Sequence, residues 1–328
     1  MRKQLFVLVA GLALVTGSVI QTLPASAAPT KSNVTVRKLS NEQAAAIKFQ
    51  GASIGLHEDQ LIKLLGEPNR KDSSEYGFDW YIYNKDYERY LQVGVRNNKV
   101  VALYTNAKEW KAEGGVGYGS TKNEITAAFG PALNQIKKGN TIYQYKDNGG
   151  KYSLHKIGNV YATVFYDTKQ QSKASSIQLI QQETELAFQG YYGTPSESLR
   201  KSFEQEVFDL TNTMRVRHGK KPLQWNDEIA TTARKHSMDM GKRNFFNHRN
   251  PDGENPFDRM KEDGVAYKQA GENIAAGQTS AIFAHENWMN SEGHRNNILG
   301  DFTRLGVGVS FGGSYQVYYT QNFYTPSQ

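Results

Sequence analysis

The 328-residue chain contains no cysteine, and this absence removes several classes of protein from consideration. Disulfide-stabilised folds, thiol catalysis, cysteine-ligated zinc and iron–sulfur clusters are all excluded. Hydrophobic residues make up 38% of the chain and charged residues 22%, a composition that provides a packed core and argues against global disorder. A chain of this length typically forms two domains.

Long apolar runs are also scarce. One such run, Leu5–Val15, lies near the start of the chain. It follows Arg2 and Lys3 and precedes Ala25-Ser26-Ala27, which together are typical of a cleavable secretory signal peptide. Its 11 residues are too few to cross about 30 Å of hydrocarbon. We therefore predict a signal peptide over residues 1–27, cut after its last alanine, and a secreted protein that is extracellular or associated with the cell wall.

The net charge of +7 is not concentrated in one basic segment. Arg2 and Lys3 carry two of these charges, and residues 202–328 contain 14 Lys or Arg and 15 Asp or Glu. By difference, residues 28–201 carry a net charge of +6. Because the basic residues of that segment are dispersed, we interpret them as a solvated face and expect no nucleic-acid partner. Weak attraction to anionic wall polymers or lipid headgroups is the alternative.

Residues 49–182 contain an internal repeat with an offset of 64 residues. Each copy has a glycine, two apolar positions four residues apart, and a second glycine. The matched pairs are Gly55 with Gly119, Leu61 with Ile125, Leu65 with Phe129, and Gly66 with Gly130. This spacing predicts a short helix in each copy, which ends where a proline follows the second glycine.

Tyr-rich segments follow each of these helices and predict a three-stranded antiparallel meander. The segments are Trp80–Tyr83, Tyr90–Val95 and Val100–Tyr104 in the first copy, and Ile142–Tyr145, Val160–Phe165 and Ile177–Ile180 in the second. We therefore predict an α+β domain made of two helix-plus-meander repeats. We find no catalytic constellation in it and favour a scaffold role, with binding of a partner or glycan as the alternative.

The remaining segments complete the domain organisation. Residues 28–48 form an N-terminal extension, residues 183–201 a linker that contains glycine, proline and serine, and residues 202–326 a second domain. In that domain the apolar spacing predicts a helix from Ser202. We expect helices and a closing pair of strands to form a compact α/β sandwich.

Three polar side chains of the second domain form a candidate site, namely His248, Glu272 and His294. We place all three in loops or at the ends of elements, where functional residues concentrate. Two imidazoles and a carboxylate can hold a divalent metal or transfer a proton. A structural role for each histidine is the alternative, and the residue spacing alone does not separate the two.

Five ordered motifs of the second domain resemble the CAP superfamily, the cysteine-rich secretory, antigen 5 and pathogenesis-related-one proteins, also called SCP. The motifs are L-x4-R-x3-G-x3-L, N-F-F-x-H, G-E-N-I-A, W-M-x-S-x-G-H-R-x-N-I-L and G-V-G-V. The resemblance covers about residues 203–324 and implies an α-β-α sandwich. The first domain, through its placement and its G-x10-G-x-P signature, resembles a CAP-associated N-terminal domain.

The resemblance implies a cavity that in many CAP proteins contains two histidines and two glutamates. His248, Glu272 and His294 fall on three of these positions. The fourth position, three residues after Trp288, is Ser291, as in many bacterial members. This departure leaves zinc or another divalent cation as a weakly held candidate cofactor.

Neighbouring carboxylates and hydroxyls complete the list of candidate site residues. Glu292 and Glu286 lie near the fourth position without matching it, and we include Glu292 among the cavity residues. Ser291 has two interpretations: a nucleophile activated by His294, or, as we favour, a side chain that bonds the loop backbone. His285-Glu286 begins like the zinc motif H-E-x-x-H, but Met289 replaces its second histidine.

The leading functional prediction is a non-catalytic ligand-binding or interaction module of the cell surface or exoproteome, with a possible link to sporulation. Its cavity would take a divalent metal or a small apolar ligand, and its partner would be a cell-wall polymer, a lipid or a protein. The alternative is a hydrolase that acts on peptide, peptidoglycan or lipid through His248, Glu272 and His294 as catalytic residues.

Overall fold

The computed structural model describes residues 47–112, 114–145, 147 and 149–327. The predicted signal peptide and all but the last two residues of the predicted extension, residues 28–48, lie outside the described residues. The described chain has the mixed α/β architecture that the sequence predicts. A seven-stranded sheet forms the N-terminal part and a four-stranded sheet the C-terminal part.

The first repeat forms helix α1, Glu58–Leu65, and the predicted meander. Its strands are β1 (Arg70–Ser73), β2 (Asp79–Tyr83), β3 (Leu91–Arg96) and β4 (Lys99–Thr105), with a 3-10 helix at Tyr87–Arg89. Strands β2, β3 and β4 pair antiparallel in that order. Two short strands, β5 (Lys111–Ala112) and β6 (Val116–Gly117), then form a hairpin before the second repeat.

The second repeat differs from our prediction in its first strand. It contains α2 (Lys122–Phe129), β7 (Gln135–Lys138), β8 (Thr141–Gln144), β9 (Tyr152–Ile157), β10 (Val160–Asp167) and β11 (Lys173–Gln181). The segment predicted to begin the meander, Ile142–Tyr145, largely forms β8, which pairs with β7 in a separate hairpin. Strand β9 takes its place beside β10. Our apolar criterion missed β9 because it buries a polar residue, His155, whose ring nitrogens contact Gly130 O at 2.9 Å and Ser153 Oγ at 2.8 Å.

The two meanders join through their last strands. The sheet order is β1-β2-β3-β4-β11-β10-β9, and β4 pairs antiparallel with β11 at its centre, with Thr105 opposite Ile177. Both repeat helices pack on one face of this sheet, where Leu61, Ile125 and Phe129 join the same apolar cluster.

Both repeat helices have the same capping structures at their two ends. Each begins with a reciprocal capping box, formed by His57 with Gln60 in α1 and by Thr121 with Glu124 in α2. Each ends at a glycine with positive φ, 79° at Gly66 and 84° at Gly130, a conformation that other residues rarely adopt. The shared caps support the interpretation of residues 49–182 as a duplicated unit.

The predicted linker, residues 183–201, contains helical structure. It includes most of α3 (Gln182–Ala187) and the first turn of α4 (Glu197–Arg217). We predicted that this second helix starts at Ser202, so that prediction was wrong by five residues. The first turn is charged rather than apolar, and Ser196 caps it by accepting a hydrogen bond from Leu199 N at 3.0 Å.

The C-terminal part is a sheet with helices on both faces. After α4 come β12 (Gln224–Trp225), α5 (Asp227–Arg243), α6 (Pro256–Glu262), β13 (Tyr267–Ala276), α7 (Ala281–Met289), α8 (Glu292–Ile298), β14 (Arg304–Phe311) and β15 (Val317–Pro326). The strand order is β12-β14-β15-β13. Thr320 of β15 contacts Ser237 of α5, whereas its neighbour Gln321 donates to Thr211 of α4, so these two helices cover opposite faces.

The G-V-G-V motif of β14 lets α5 approach the sheet closely. A Cβ atom added at Gly306 would overlap the backbone of Ala230, and one added at Gly308 would overlap the backbone of Arg234. Both overlaps involve helix backbone, which cannot move aside as a flexible side chain can. The two glycines therefore set the distance between α5 and the sheet.

The second face of the N-terminal sheet is covered by helices of the C-terminal part. Tyr90 and Tyr104 are fully buried there in one apolar cluster with Leu210 of α4 and Ile282 of α7. The tyrosine-rich face that we considered for a partner or glycan is therefore occupied by the chain's own second domain.

Buried polar contacts fix how the two parts dock. Arg70 Nη2 lies 2.7 Å from Asp209 Oδ2 of α4, and Glu286 of α7 accepts a hydrogen bond from Tyr104 Oη at 3.0 Å. After α7, Asn290 Oδ1 accepts from Thr168 N and Thr168 Oγ1, each at 2.7 Å. These bonds satisfy polar groups that docking removes from water.

His285 is a fully buried residue of α7 whose two ring nitrogens have no hydrogen-bond partner among the described residues. Burial, with the positive charges of Arg217 and Arg295, lowers the pKa of His285 to about 3. The folded chain therefore binds fewer protons at this residue than the unfolded chain, in which a histidine pKa is about 6.5.

We expect Gly308→Ala to lower the free energy of unfolding by about 3 kcal/mol, because the new methyl group must displace α5 from the sheet. Urea unfolding followed by circular dichroism measures the change. Gly293→Ala in α8 is the matched control, since a Cβ there meets no atom within 4 Å. The control should be neutral or gain up to about 1 kcal/mol from helix propensity. Equal losses in the two variants would contradict the packing argument.

We expect His285→Leu to stabilise the protein increasingly as the pH falls from about 6.5 toward 3. The wild type loses stability over that range because unfolding lets His285 take up a proton, at about 1.4 kcal/mol per pH unit. Thermal or urea unfolding at several pH values gives the difference between variant and wild type. Phe283→Leu on the same helix is the control, and its difference from wild type should not change with pH. A constant difference for His285→Leu would refute the prediction.

Candidate functional site

Glu272 lies within β13, an edge strand of the C-terminal sheet, and not in a loop or at the end of an element as we predicted. Its cross-strand partner is Asn322 of β15. The polar residues Lys268 and Gln269 follow the first residue of this strand, Tyr267, so the sequence shows no apolar alternation there. A carboxylate on an edge strand remains within reach of side chains from the helices on either side.

His294 lies in helix α8, which the sequence analysis also missed. Two asparagines tie this helix to β13: Asn273 Nδ2 donates to His294 O, and Asn297 Nδ2 donates to Glu272 O, each at 3.1 Å. The asparagines of the G-E-N-I-A and G-H-R-x-N-I-L motifs therefore hold the His294 segment against the strand that carries Glu272. We call His248, Glu272 and His294 the His–Glu site.

Two neighbours hold the buried carboxylate of Glu272, whose side chain is 2% exposed. His248 Nδ1 lies 2.8 Å from Oε1, and Arg259 Nη2 donates to Oε2 at 2.8 Å. His248 follows α5 in a loop, as predicted, and its side chain is 48% exposed. Arg259 also donates to His248 O at 2.9 Å, so one guanidinium fixes both the carboxylate and the loop.

His294 presents a partly buried imidazole to the same region. Its Nδ1 is buried without a hydrogen-bond partner among the described residues. Burial, His248 and Lys151, in that order of importance, lower the pKa of His294 to about 4. His294 is therefore neutral at physiological pH.

The structure does not bring the other predicted residues into this network. Ser291 makes no side-chain capping bond, which corrects our expectation that its hydroxyl bonds the loop backbone; its N–H donates to Trp288 O at 3.0 Å. Glu292 is exposed in the first turn of α8. Glu286 is buried in the contact between the two parts, where Tyr104 donates to it.

Sequence reasoning missed two residues that contact or approach Glu272. His236 of α5 is buried, with Nε2 at 3.1 Å from Asn247 O and 4.0 Å from Glu272 Oε1. Burial is the main cause that lowers the pKa of His236 to about 4. The apolar spacing of α5 already placed His236 on the buried face of that helix. No sequence pattern marked Arg259, because an arginine in a helix is usually exposed.

The predicted metal ligands do not converge on a common point. Across the described residues, no group of three or more histidine, aspartate or glutamate side chains is arranged to hold a metal ion. Glu272 uses one oxygen for His248 and the other for Arg259, and a guanidinium beside a metal site opposes a divalent cation. The donor set therefore does not fit zinc in this arrangement.

Two surface cavities of the described chain are lined by residues other than His248, Glu272 and His294. One, of about 480 Å³, is lined mainly by acidic residues between Asp252 and Glu262. The other, of about 200 Å³, lies between the two parts of the chain and is lined by Tyr118, Asp167 and Arg217 among others. Neither cavity includes a residue that the sequence analysis placed in the site.

The fold and the ordered site motifs define the class of protein. Residues 208–323 match the cysteine-rich secretory protein family, CAP, and residues 54–191 match the CAP-associated N-terminal domain. The chain belongs to the CAP superfamily and carries the CAP-associated N-terminal domain, as the resemblance predicted. Its sandwich of helices and sheet is the CAP fold.

Two relatives in Bacillus subtilis (strain 168) align with this chain over most of its length or over part of it. The chain is 35% identical to the uncharacterized membrane protein YlbC over 325 aligned residues, which cover 89% of this chain and 90% of YlbC. It is 45% identical to the uncharacterized protein YkwD over 131 residues, which cover 40% of this chain and 50% of YkwD.

Solved structures show the same two-part fold. An extracellular protein with an SCP domain from Bacillus anthracis str. Ames is 29% identical, with a TM-score of 0.73 and coverage of 90% of this chain and 100% of that one. A cysteine-rich secretory protein from Staphylococcus aureus subsp. aureus Mu50 is 22% identical, with a TM-score of 0.65 and coverage of 83% and 93%. The second likeness shows the fold alone.

The word membrane in the name of YlbC applies to that protein. Over the described residues of this chain, every helix is too short or too polar to cross a bilayer. The apolar segment that we interpreted as a signal peptide lies outside the described residues.

We expect Arg259→Met to lower the free energy of unfolding by about 3 kcal/mol, because it leaves the buried Glu272 carboxylate without its cation. Adding Glu272→Gln should recover part of that loss, since the uncompensated charge is then gone. Urea unfolding of both single variants, the double variant and the wild type completes a double-mutant cycle. Additive losses would show that Arg259 acts independently of Glu272.

Proposed function

We propose that this chain is an extracellular, non-catalytic binding module whose CAP domain takes a small ligand at the His–Glu site. The observation that carries the proposal is the state of Glu272, whose two carboxylate oxygens are held by Arg259 and His248. A carboxylate fixed in this way is suited to orienting an imidazole toward a ligand. It is less suited to the changes of protonation that general acid–base catalysis requires.

The hydroxyl chemistry of the site also supports binding over hydrolysis. Among the described residues, neither His248 nor His294 forms a side-chain hydrogen bond with a serine or threonine hydroxyl. A nucleophilic mechanism needs a base within hydrogen-bond reach of its nucleophile. Ser291, the hydroxyl that we considered for this role, has no such bond to His294.

Exposed aromatic residues near the site support a ligand with an apolar part. Phe246 precedes His248 by two residues and is 44% exposed, and Phe257 precedes Arg259 by two residues and is 43% exposed. Large apolar side chains in water are candidates for contact with a ligand or partner. A ligand anchored at His248 would have the exposed ring of Phe246 two residues away on the same loop.

Two observations support an extracellular location. The N-terminal sequence has the three parts of a signal peptide, and the Bacillus anthracis relative is described as extracellular. The dispersed positive charge of residues 28–201 is consistent with weak attraction to an anionic wall polymer or lipid surface. Cell-surface or exoproteome placement is therefore part of the proposal.

We expect the purified full chain to bind a small apolar probe at the His–Glu site without degrading wall, peptide or lipid substrates. Nile red fluorescence measures binding, and product release from peptidoglycan, casein and phospholipid vesicles measures hydrolysis. The variant His248→Ala/His294→Ala should bind Nile red at least tenfold more weakly. A His57→Ala variant, altered at an exposed histidine of the first domain, is the control and should bind like the wild type.

Product release that the double variant lacks would replace the binding proposal with the hydrolase alternative. Measurement of the zinc content of the same samples tests whether such hydrolysis depends on a metal. Stoichiometric zinc in the wild type that is lost in the double variant would show that the site rearranges to hold a metal, as metal-dependent hydrolysis requires.

A further inference from the structure

The cavity of about 200 Å³ between the two parts of the chain has walls from both domains. Tyr118 and Lys173 line it from the N-terminal domain, and Arg217, the last residue of α4, lines it from the CAP domain. A water molecule takes up about 30 Å³ in the liquid, so the cavity has room for a group of several heavy atoms. It shares no lining residue with the His–Glu site.

Arg217 is fixed in the wall of this cavity with one edge of its guanidinium unused. Its Nη1 donates to Asn106 O at 2.8 Å and to Ser175 O at 3.1 Å. The guanidinium carbon lies 4.4 Å from the centre of the Tyr118 ring. The other edge, formed by Nε and Nη2, makes no hydrogen bond with a described residue, and Nε is a buried donor without a partner.

The same edge binds a carboxylate in other arginines of this chain. Arg70 donates from Nε and Nη2 to the two oxygens of Asp72 at 2.7 Å each, and Arg243 does the same to Asp239 at 2.6 Å each. Two parallel N–H groups match the oxygens of a carboxylate or a phosphate. Because a buried donor without an acceptor is costly, the unused edge of Arg217 indicates an acceptor from outside the chain.

The two cations of the cavity have no ion-pair partner among the described residues. No carboxylate oxygen there lies within 4.0 Å of a side-chain nitrogen of Arg217 or Lys173. The charge of both residues is therefore available to a ligand.

The acids near the cavity already have partners. Asp167, which lines it, pairs with Arg295 Nη1 at 3.0 Å. Glu286 bonds the lining residue Ser175 through Oε2 at 3.4 Å and accepts a hydrogen bond from Tyr104 at 3.0 Å, but it does not itself line the cavity. Positive charge is therefore in excess in the cavity wall.

We propose that this cavity binds an oxyanion, a carboxylate or phosphate group, through the Nε–Nη2 edge of Arg217, with Lys173 as a second cation. The ligand then contacts both domains, because these two residues belong to different ones. The inference goes beyond the binding proposed at the His–Glu site, since the two sites have no residue in common.

Titration of the 15N-labelled full chain with sodium phosphate, and separately with sodium acetate, tests the inference. The Nε–H signal of Arg217, assigned by its loss in the Arg217→Lys variant, reports on the bond directly. Sodium chloride at matched ionic strength is the reference, because salt alone screens charges. We expect a saturable downfield shift of this signal with at least one of the two oxyanions and none with chloride.

Variants of the two cations measure their contributions. Arg217→Lys keeps the charge but cannot present two parallel N–H groups, so it should bind about tenfold more weakly or worse. The backbone amide signals of Gly119 and Gln170, which line the cavity, give its affinity. Lys173→Gln should weaken binding about two- to fivefold, as expected for an exposed charge pair. Lys169→Gln is the matched control and should bind like the wild type, since it removes an exposed lysine that does not line the cavity.

Thermal unfolding of each variant shows whether it is folded before titration. Arg217 also bonds two backbone carbonyls, so Arg217→Lys could disturb the domain contact. Lys173 is exposed, and its variant together with the wild-type titration decides the question without Arg217→Lys.

The outcomes separate this inference from the function proposed for the His–Glu site. No saturable shift of the Arg217 Nε–H signal with phosphate or acetate, or an equal shift with chloride, overturns the oxyanion site and leaves water as the partner of this edge. Unchanged affinity in both cavity variants overturns it as well. Saturation by phosphate alone identifies a phosphate ligand, and saturation by acetate alone identifies a carboxylate. Nile red binding should be unaffected by Lys173→Gln, so each proposal can fail without the other.

Discussion

The docking of helices α4 and α7 on the N-terminal sheet is the contact on which the rest of the structure depends. Strands β2 to β4 bury side chains on both faces, and repeat helices cover only one of them. The other face needs the CAP domain, because exposed tyrosine and tryptophan side chains would leave a large apolar patch in water. The contact is partly polar, since Glu286 accepts a hydrogen bond from Tyr104 and Asn290 accepts one from Thr168. These bonds give the two domains one defined arrangement.

Features set by local chemistry could be predicted from the sequence. The repeat helices, their glycine ends and the strands of the first meander follow from spacing and turn residues over a few positions. Features that depend on contacts between distant residues could not be predicted from the sequence. Strand β9 is stabilised by a bond from His155 to Gly130, 25 residues away, and β13 pairs with β15 through partners that are 42 to 59 residues apart. Neither leaves a periodic apolar pattern in its own segment.

The candidate site shows the same division. The family motifs led to His248 and Glu272, which are in direct contact, and to His294, which the two asparagines hold against the same strand. They did not reveal that Arg259 neutralises Glu272, because this arginine lies on a short helix with no motif to mark it.

The two repeats of the N-terminal domain are alike in plan, and each forms an ion pair with a different helix of the CAP domain. Arg70 of the first repeat bonds Asp209 of α4, whereas Asp167 of the second repeat pairs with Arg295 of α8 at 3.0 Å. The duplicated sheet therefore bonds to α4 through Arg70 and to α8, the helix that carries His294, through Asp167. A substitution of Asp167 in the N-terminal domain would therefore act on the helix that carries His294 without any change in the sequence of the CAP domain.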